Sequence, residues 1–231
     1  MKMPEIKIYT AKEGYNKIAP YYDGWIWQQF WRENEYPFIV KWCNSLSPGV
    51  GLDIGTGSGQ NLKCFLEKGH IINAIDISGK MLEKCEQKHN QYIIDQKLHC
   101  KELDIYNLKC FEAKYDWIIS NRVFSNIKYI EDIIAKISNL LKYNGQCFIS
   151  DIHPEHNYDY TNFSINGEDI YIETYKHSIS LLKSLFDKYK LKVFSQKEIT
   201  VGNLINHEIL KSFPKLRNQF TPIFYCFILK K

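Results

Sequence analysis

The chain has 231 residues, and its hydrophobic fraction of 45% and charged fraction of 24% are typical of a folded domain that buries its own core. The formal net charge of +4 is spread along the sequence without a block of Lys and Arg, which argues against a nucleic-acid-binding surface. No apolar run is long enough to span a membrane, and the first ten residues lack the apolar segment of a signal peptide.

Residues 1–45 are predicted to form an N-terminal helical cap segment. Residues 15–36 of this segment carry eight aromatic side chains, namely Tyr15, Tyr21, Tyr22, Trp25, Trp27, Phe30, Trp31 and Tyr36. Such rings either pack on a core or form the walls of a pocket. We expect Tyr21, Trp27 and Trp31 to line a substrate pocket.

From residue 46 onwards, short β-prone runs alternate with helical periodicity. The predicted strands are Val50–Ile54, Ile71–Ile75, Leu98–Leu103, Tyr115–Ser120 and Gln146–Ile152, and Ser78 is placed to cap one of the helices between them. This alternation indicates βαβ units and a parallel sheet that is covered on both faces. We therefore assign residues 46–231 to a single α/β core.

The last part of the chain departs from this rhythm. A helix is predicted around Leu181–Phe186, and two strands, 191–199 and 222–229, are expected to pair in antiparallel orientation at one edge of the sheet. Residues 155–177 carry alternating apolar positions on both sides of Asn166-Gly167. This pattern predicts a hairpin, inserted into the core as a lid.

The first predicted strand ends in three alternate glycines, Gly55, Gly57 and Gly59, before a helix begins. Such a loop allows backbone N–H groups to approach a ligand closely. A nicotinamide-binding loop would require a glycine at position 60, where the chain has Gln60. Asp53, two residues before the first glycine, suits a ligand with an ammonium group better than one with a pyrophosphate.

Two more acids follow the next two predicted strands. Asp76 ends the second strand, where a carboxylate can accept hydrogen bonds from two ribose hydroxyls. Asp104 follows the third strand, where an acid can accept from an adenine amino group. One such acid is commonly a turn or cap residue, but three at the ends of successive strands indicate a nucleoside site.

These segments resemble the class I S-adenosylmethionine-dependent methyltransferases, over roughly residues 15–153. The resemblance rests on LDIGTGSGQN and AIDISGKML, with support from YNKIAPYYD, ELDIYNL, YDWIISNRVFSNI, LLKYNGQCFIS and the terminal PIFYCFILKK. It implies a Rossmann-like, doubly wound, seven-stranded sheet that is mostly parallel with the last strand antiparallel. It also implies S-adenosyl-L-methionine as the cofactor.

The resemblance assigns cofactor contacts by position. Asp53 and Gly55 would hold the methionine end, Asp76 the ribose, Asp104 and Ile105 the adenine, Asn121 would lie below the sulfonium, and Tyr15 would touch the carboxylate. Further contacts are expected from Thr56, Gly57, Gly59, Ile77 and Met81. Ser125-Asn126 stands where many relatives carry His, so no base is expected there.

His153 and Asp151 are the predicted catalytic residues, because both lie at the carboxyl end of the fifth core strand. His153 would act as the base, and Asp151 would bind a cationic amine. The alternative is that His153 stabilises a turn before Pro154. His153 and His156 have a spacing seen in metal sites, but without a third ligand we expect no metal.

The predicted function is transfer of a methyl group to an N or O atom of a small molecule, a role that fits natural-product biosynthesis. One alternative is methylation of a short peptide's amine, favoured by acids such as Asp23, Asp151 or Asp159. Others are a non-catalytic cofactor-binding regulator and a nicotinamide oxidoreductase. No nucleic-acid or membrane partner is expected, and the oligomeric state stays open.

Cysteine usage indicates the compartment. The chain has seven cysteines, an odd number, and no pair shows CxxC spacing. This usage is typical of a reducing environment, so we expect a cytoplasmic protein.

Overall fold

The structure is a computed structural model that describes residues 6–109, 113–165, 167–207 and 218–231. In chain order its helices and strands are β1 (Ile8–Tyr9), α1 (Ala11–Tyr22), α2 (Ile26–Asn34), α3 (Tyr36–Ser45), β2 (Val50–Ile54), α4 (Lys63–Glu67), β3 (Ile71–Asp76), α5 (Gly79–Lys88), α6 (Asn90–Ile94), β4 (Leu98–Glu102), β5 (Tyr115–Asn121), α7 (Ile130–Leu140), β6 (Leu141–Ile152), β7 (Tyr160–Ile165), β8 (Glu168–Glu173), α8 (Ile179–Lys188), β9 (Lys192–Thr200) and β10 (Pro222–Lys230). None of the helices in these ranges is long and apolar enough to cross a bilayer.

The central sheet has seven strands in the order β4-β3-β2-β5-β6-β10-β9. Strands β2 to β6 pair in parallel, and β10 is antiparallel to both of its neighbours. The predicted fold class is therefore confirmed. Strand order reverses between β2 and β5, and in open α/β sheets ligands bind at such a switch point, beside the carboxyl ends of the strands.

Helices cover both faces of this sheet. Helices α7 and α8 pack on one face, and α3, α4 and α5 pack on the other. Side chains along β5 point alternately to the two faces of the sheet, so this strand contributes to the hydrophobic core on both faces. Ile118 packs with α7 and α8, whereas Trp117 and Ile119 pack with α3, α4 and α5. Helix α3 belongs to the predicted cap segment, yet Ile39 and Trp42 pack in the core layer, so tight packing crosses the predicted boundary at residues 45 and 46.

A second, smaller sheet stands over the carboxyl edge. Strand β7 pairs with β8 as an antiparallel hairpin, as predicted, and β1 adds in parallel to β8. Gly167 of the predicted turn is described, whereas Asn166 lies outside the described residues. Helix α1 packs on this sheet closely, since a Cβ on Gly14 would lie 2.4 Å from the Ile172 side chain.

Helix α4 begins only at Lys63, because the preceding residues form turns that end the glycine loop. Helix α7 ends at Leu140, and β6 begins directly at Leu141, before the predicted start at Gln146. Asn144 lies inside β6 with a φ of 63°, a conformation that Asn tolerates.

Gly51 offers a test of the core. A Cβ at this position would lie 2.1 Å from the Trp117 ring, which stacks on Phe65 and donates to His70 Nδ1. We expect Gly51→Ala to lower the free energy of unfolding, measured in urea, by about 1–3 kcal/mol through overpacking. Gly24→Ala is the control and should stay within about 0.5 kcal/mol of the parent, since its nearest contact is 3.8 Å away. Equal stability of the two variants would contradict this account of the core.

Candidate active site

The glycine loop after β2 turns back onto the end of β3. The N–H groups of Gly55 and Thr56 both donate to the carbonyl of Ile75, at 2.8 and 3.0 Å. Gly57 adopts a φ of 56°, and the nearest atom to a Cβ built there would be Tyr22 Cε1 at 4.0 Å. A glycine is favoured here because other residues rarely adopt this conformation. The loop thus presents bare backbone towards the carboxyl edge of the sheet.

A cavity of about 440 Å³ opens beside this loop. This volume is within the usual range for small-molecule and cofactor sites. Eleven of the twelve predicted cofactor-binding residues line it, namely Tyr15, Asp53, Gly55, Thr56, Gly57, Asp76, Ile77, Met81, Asp104, Ile105 and Asn121. The structure therefore brings the three acids into one cavity, while their contacts with a ligand stay a prediction.

Gly59 is the exception, because it does not line this cavity. Its carbonyl accepts a hydrogen bond from His89 Nε2 at 2.8 Å, and a Cβ on it would meet Cys85 Sγ at 2.6 Å. The third glycine thus allows close packing of the loop on α5, and the ligand contact expected at Gly59 stays a prediction.

Asp53 is the most unusual acid of the site. Its side chain is only 4% exposed, and burial raises the pKa of this carboxyl to about 7, with the charge of Asp76 adding to the effect. The Thr56 hydroxyl lowers the pKa slightly, although it makes no hydrogen bond of good geometry. A buried carboxylate that faces a cavity is complementary to a cationic group, which would restore its ionised form.

Asp76 is buried too, but its oxygens are engaged by the backbone. Oδ2 accepts the N–H of Gly57 and Oδ1 accepts the N–H of Ser78, each at 2.8 Å. Burial nevertheless raises the pKa of this carboxyl to about 6. Each oxygen retains a lone pair, so ribose hydroxyls can still donate to it. Half-buried Asp104 accepts the N–H of Tyr106 at 2.9 Å, which leaves its other oxygen for a donor from the cavity.

Asn121 ends β5 within a buried polar network. Its Nδ2 donates to Ser150 Oγ at 2.6 Å, and Ser150 in turn donates to Glu35 Oε1 at 2.6 Å. The second oxygen of Glu35 accepts from the Arg122 guanidinium, which lies 5.0 Å from the Trp31 ring. This network joins Glu35, between α2 and α3, to the ends of β5 and β6. The position of Arg122 is therefore fixed both by the cap helices and by the end of β5.

A second cavity, of about 200 Å³, adjoins the first. Tyr15, Tyr22 and Arg122 line both cavities and form their shared wall. Of the predicted substrate residues, Trp27 and Trp31 line the second cavity. Tyr21 lines neither cavity, because it is 49% exposed on the outer side of α1. A role of these three residues in substrate binding stays a prediction.

The predicted catalytic pair lies elsewhere. His153 lines neither of the two large cavities, because it is buried with Nε2 3.2 Å from Glu198 on β9 and with Nδ1 accepting the N–H of Glu155. Asp151 accepts the N–H groups of Ser125 and Ile152, and it too is absent from both linings. The structure therefore places His153 and Asp151 outside both of these cavities, and their catalytic role stays a prediction.

Three other residues were missed by sequence reasoning. Gln28 lines the second cavity and is 2% exposed, and its Nε2 has no hydrogen-bond partner. His156 lines the same cavity, and its Nδ1 also lacks a partner. Arg122 has a φ of 56° directly after β5. One signal was present in the sequence, namely the many aromatic residues around Gln28. They indicated that this segment could line a pocket, but they did not identify Gln28 itself.

Within residues 6–109, 113–165, 167–207 and 218–231, no group of three or more His, Cys, Asp and Glu side chains is arranged to hold a metal ion.

The strand order, the glycine loop and the edge carboxylates define a Rossmann-like α/β domain. Residues 52–149 match the family model described as a methyltransferase domain. Among solved structures, magnesium protoporphyrin IX methyltransferase of Synechocystis with bound S-adenosylhomocysteine matches with a TM-score of 0.66, over 95% of this chain and 97% of that chain, at 14% identity. The residues that match the family model make up less than half of the chain, and at 14% identity the structural match shows a shared fold.

Two curated relatives match part of the chain. A Haemophilus influenzae protein of uncharacterised function is 32% identical over 125 residues, which are 52% of this chain and 48% of that protein. An uncharacterised methyltransferase of Schizosaccharomyces pombe is 25% identical over 107 residues, 44% of this chain and 38% of that protein. The chain thus spans less than half the length of the curated relatives it matches.

The burial of Asp53 predicts an unusual pH dependence of stability. Its pKa is about 7 in the folded chain and about 3.9 when unfolded, so between these values the folded state binds more protons and stability falls as pH rises. We expect Asp53→Asn to be more stable than the parent at pH 8 by about 2–4 kcal/mol, and the difference to shrink towards pH 4. Urea unfolding of the ligand-free protein at both pH values measures this.

Asp116→Asn is the control of opposite sign. Despite its partial burial, hydrogen bonds from Lys142 and the Val50 N–H lower the pKa of this carboxyl, so its ionised form stabilises the fold above its unfolded pKa. This variant should lose stability at pH 8 rather than gain it. If Asp53→Asn were instead less stable than the parent at pH 8, the buried Asp53 carboxylate would not destabilise the fold.

Proposed function

We propose that the protein uses S-adenosyl-L-methionine to methylate a small-molecule acceptor, with the cofactor in the first cavity and the acceptor in the second. The observation that carries this proposal is the buried Asp53 carboxyl, which shares one cavity with Asp76, Asp104 and the bare glycine loop. An ammonium group, a ribose diol and an adenine amino group are the donors that such a row of acids complements.

S-adenosyl-L-methionine, when bound, supplies an activated methyl group on a sulfonium. The chain chiefly has to align the acceptor atom with that group and to exclude water. Asp53 would hold the ammonium group and Asp76 the ribose hydroxyls. Tyr15 and Tyr22 would separate the reacting centre from solvent, because both line the shared wall of the cavities.

Methylation of a peptide amine is supported less well. Two of the acids that favoured a cationic acceptor line neither cavity and already have partners: Asp23 accepts from Ser58 and Gln60, and Asp159 pairs with Lys176 on the surface. Asp151, as described above, is tied to backbone N–H groups. The small-molecule branch is therefore the better proposal. A reducing, cytoplasmic setting and a role in natural-product biosynthesis remain proposals that rest on the sequence.

Calorimetry with S-adenosylhomocysteine and with 5′-methylthioadenosine tests the assignment of the acids. The second compound keeps the nucleoside but lacks the amino-acid end. We expect Asp53→Asn to weaken binding of S-adenosylhomocysteine by roughly 10- to 100-fold, the cost of one charged hydrogen bond, and to leave methylthioadenosine within about twofold. Asp76→Asn should weaken both compounds.

Asp116→Asn is the control, because Asp116 lies at the amino end of β5, at the opposite edge of the sheet from the cavities. This variant should bind both compounds as the parent does. The proposal fails if the parent protein binds neither compound. Equal losses for both compounds in Asp53→Asn would overturn the assignment of this residue to the ammonium group. Formation of S-adenosylhomocysteine with an acceptor, detected by mass spectrometry, would exclude a non-catalytic regulator.

A further inference from the structure

The walls of the second cavity are mainly aromatic. Trp25, Trp27 and Trp31 come from α2 and the turn before it, and Tyr158 and Tyr160 come from the start of the lid hairpin. These rings are fixed by their neighbours, since Trp25 lies 3.8 Å from Phe163 between ring centroids. A rigid set of rings favours a planar, aromatic occupant, which can stack or meet them edge to face.

The cavity offers no counter-ion to a cationic acceptor. Arg122 is the one residue with a permanent charge among the described residues that line it, and its guanidinium is committed to Glu35. No carboxylate of the described chain belongs to this lining. A carboxylate acceptor would likewise find no free cation, so the electrostatics favour an acceptor that is neutral when it binds.

Two buried polar atoms of the lining lack partners. Gln28 Nε2 is a donor on a side chain that is 2% exposed. His156 Nδ1 belongs to an imidazole whose ring centroid lies 5.8 Å from that of Tyr158. Buried polar atoms are normally hydrogen-bonded, and an unpaired one costs free energy that a ligand can recover. Together they match a hydroxyl group, which accepts from one neighbour and donates to the other.

His156 is suited to receive the donated proton. Burial lowers the pKa of its imidazole, and the positive charge of nearby Lys176, with the neighbouring His153, acts in the same direction. The imidazole is therefore neutral at physiological pH, and its Nδ1 accepts a proton when Nε2 carries the ring hydrogen. A base is needed only for an acceptor that is protonated at neutral pH, as a phenol is.

We propose that the second cavity binds a small phenol and that His156 is the catalytic base for its O-methylation, an inference that rests on the proposed function. The phenol O–H bond breaks and its proton moves to His156 Nδ1. The oxygen forms a bond to the methyl carbon, and the electron pair of the carbon–sulfur bond stays on sulfur, so S-adenosylhomocysteine leaves. Gln28 Nε2 donates to the same oxygen and orients it.

Binding of ring-matched probes tests the acceptor class. Phenol, benzylamine and benzoate can be titrated into the protein saturated with S-adenosylhomocysteine, with quenching of the cavity tryptophans as the signal. We expect phenol to bind at least about fivefold more tightly than benzylamine and benzoate. Gln28→Met should weaken the binding of phenol by roughly three- to tenfold and leave the binding of the other two compounds unchanged. Equal or tighter binding of benzylamine or benzoate, or no binding of phenol, overturns the inference.

Turnover of two phenols tests the base. We expect His156→Gln to lower kcat/KM by about 100-fold or more for an ordinary phenol, but by less than about fivefold for a nitrophenol that is already ionised at the assay pH. His99→Gln, at an exposed position on β4 outside both cavities, is the control and should stay within about threefold of the parent for both phenols. Equal losses for both phenols in His156→Gln, or no loss, would exclude a base.

Two outcomes separate the inference from the proposed function. Retained binding of S-adenosylhomocysteine by His156→Gln shows that the variant is folded. If the parent binds S-adenosylhomocysteine but neither binds nor methylates phenols, only the phenol inference fails. If the parent does not bind S-adenosylhomocysteine, the proposed function itself fails.

Discussion

The position of the glycine loop depends on one carboxylate, and the shape of the whole site depends on that loop. Asp76 accepts the N–H of Gly57 with one oxygen and the N–H of Ser78 with the other. The two bonds fix the end of β2 and the start of α5 relative to β3. They also offset part of the cost of burying a charge, because each donor favours the ionised carboxyl. The first cavity therefore has its shape before any ligand arrives.

The core strands and the three acids at their ends, Asp53, Asp76 and Asp104, could be predicted because local sequence patterns indicate them. Asp53 and Asp76 each belong to an apolar run, and the carboxyl ends of parallel strands must meet at one edge, so their proximity follows from the pattern alone. Gly59 shows the limit of inference from local patterns. A glycine signals an unusual φ or a close approach, but the spacing does not tell whether a ligand or a helix approaches, and here the neighbours are Cys85 and His89.

The acceptor side could not be predicted, because segments far apart in the chain build it. His153 follows β6 and shares a face with Asp151, which suggested a site residue. However, β10 lies beside β6 and brings β9 within reach, so His153 faces Glu198 instead. His156 lies three residues later in a turn, and no periodicity indicates where a turn residue points. It meets the cavity only because the chain folds over the edge into the lid hairpin.

The distribution of charge between the two cavities suits methyl transfer. The acids follow β2, β3 and β4, whereas the shared wall is made of Tyr15, Tyr22 and the paired Arg122. Positive charge disperses from the sulfonium as a methyl group is transferred, so a carboxylate at the junction would stabilise the starting state more than the transition state. Aromatic faces attract a cation more weakly and exclude water. In the proposed function, the carboxylates would hold the parts of the ligand that do not react, and uncharged rings would surround the part that does.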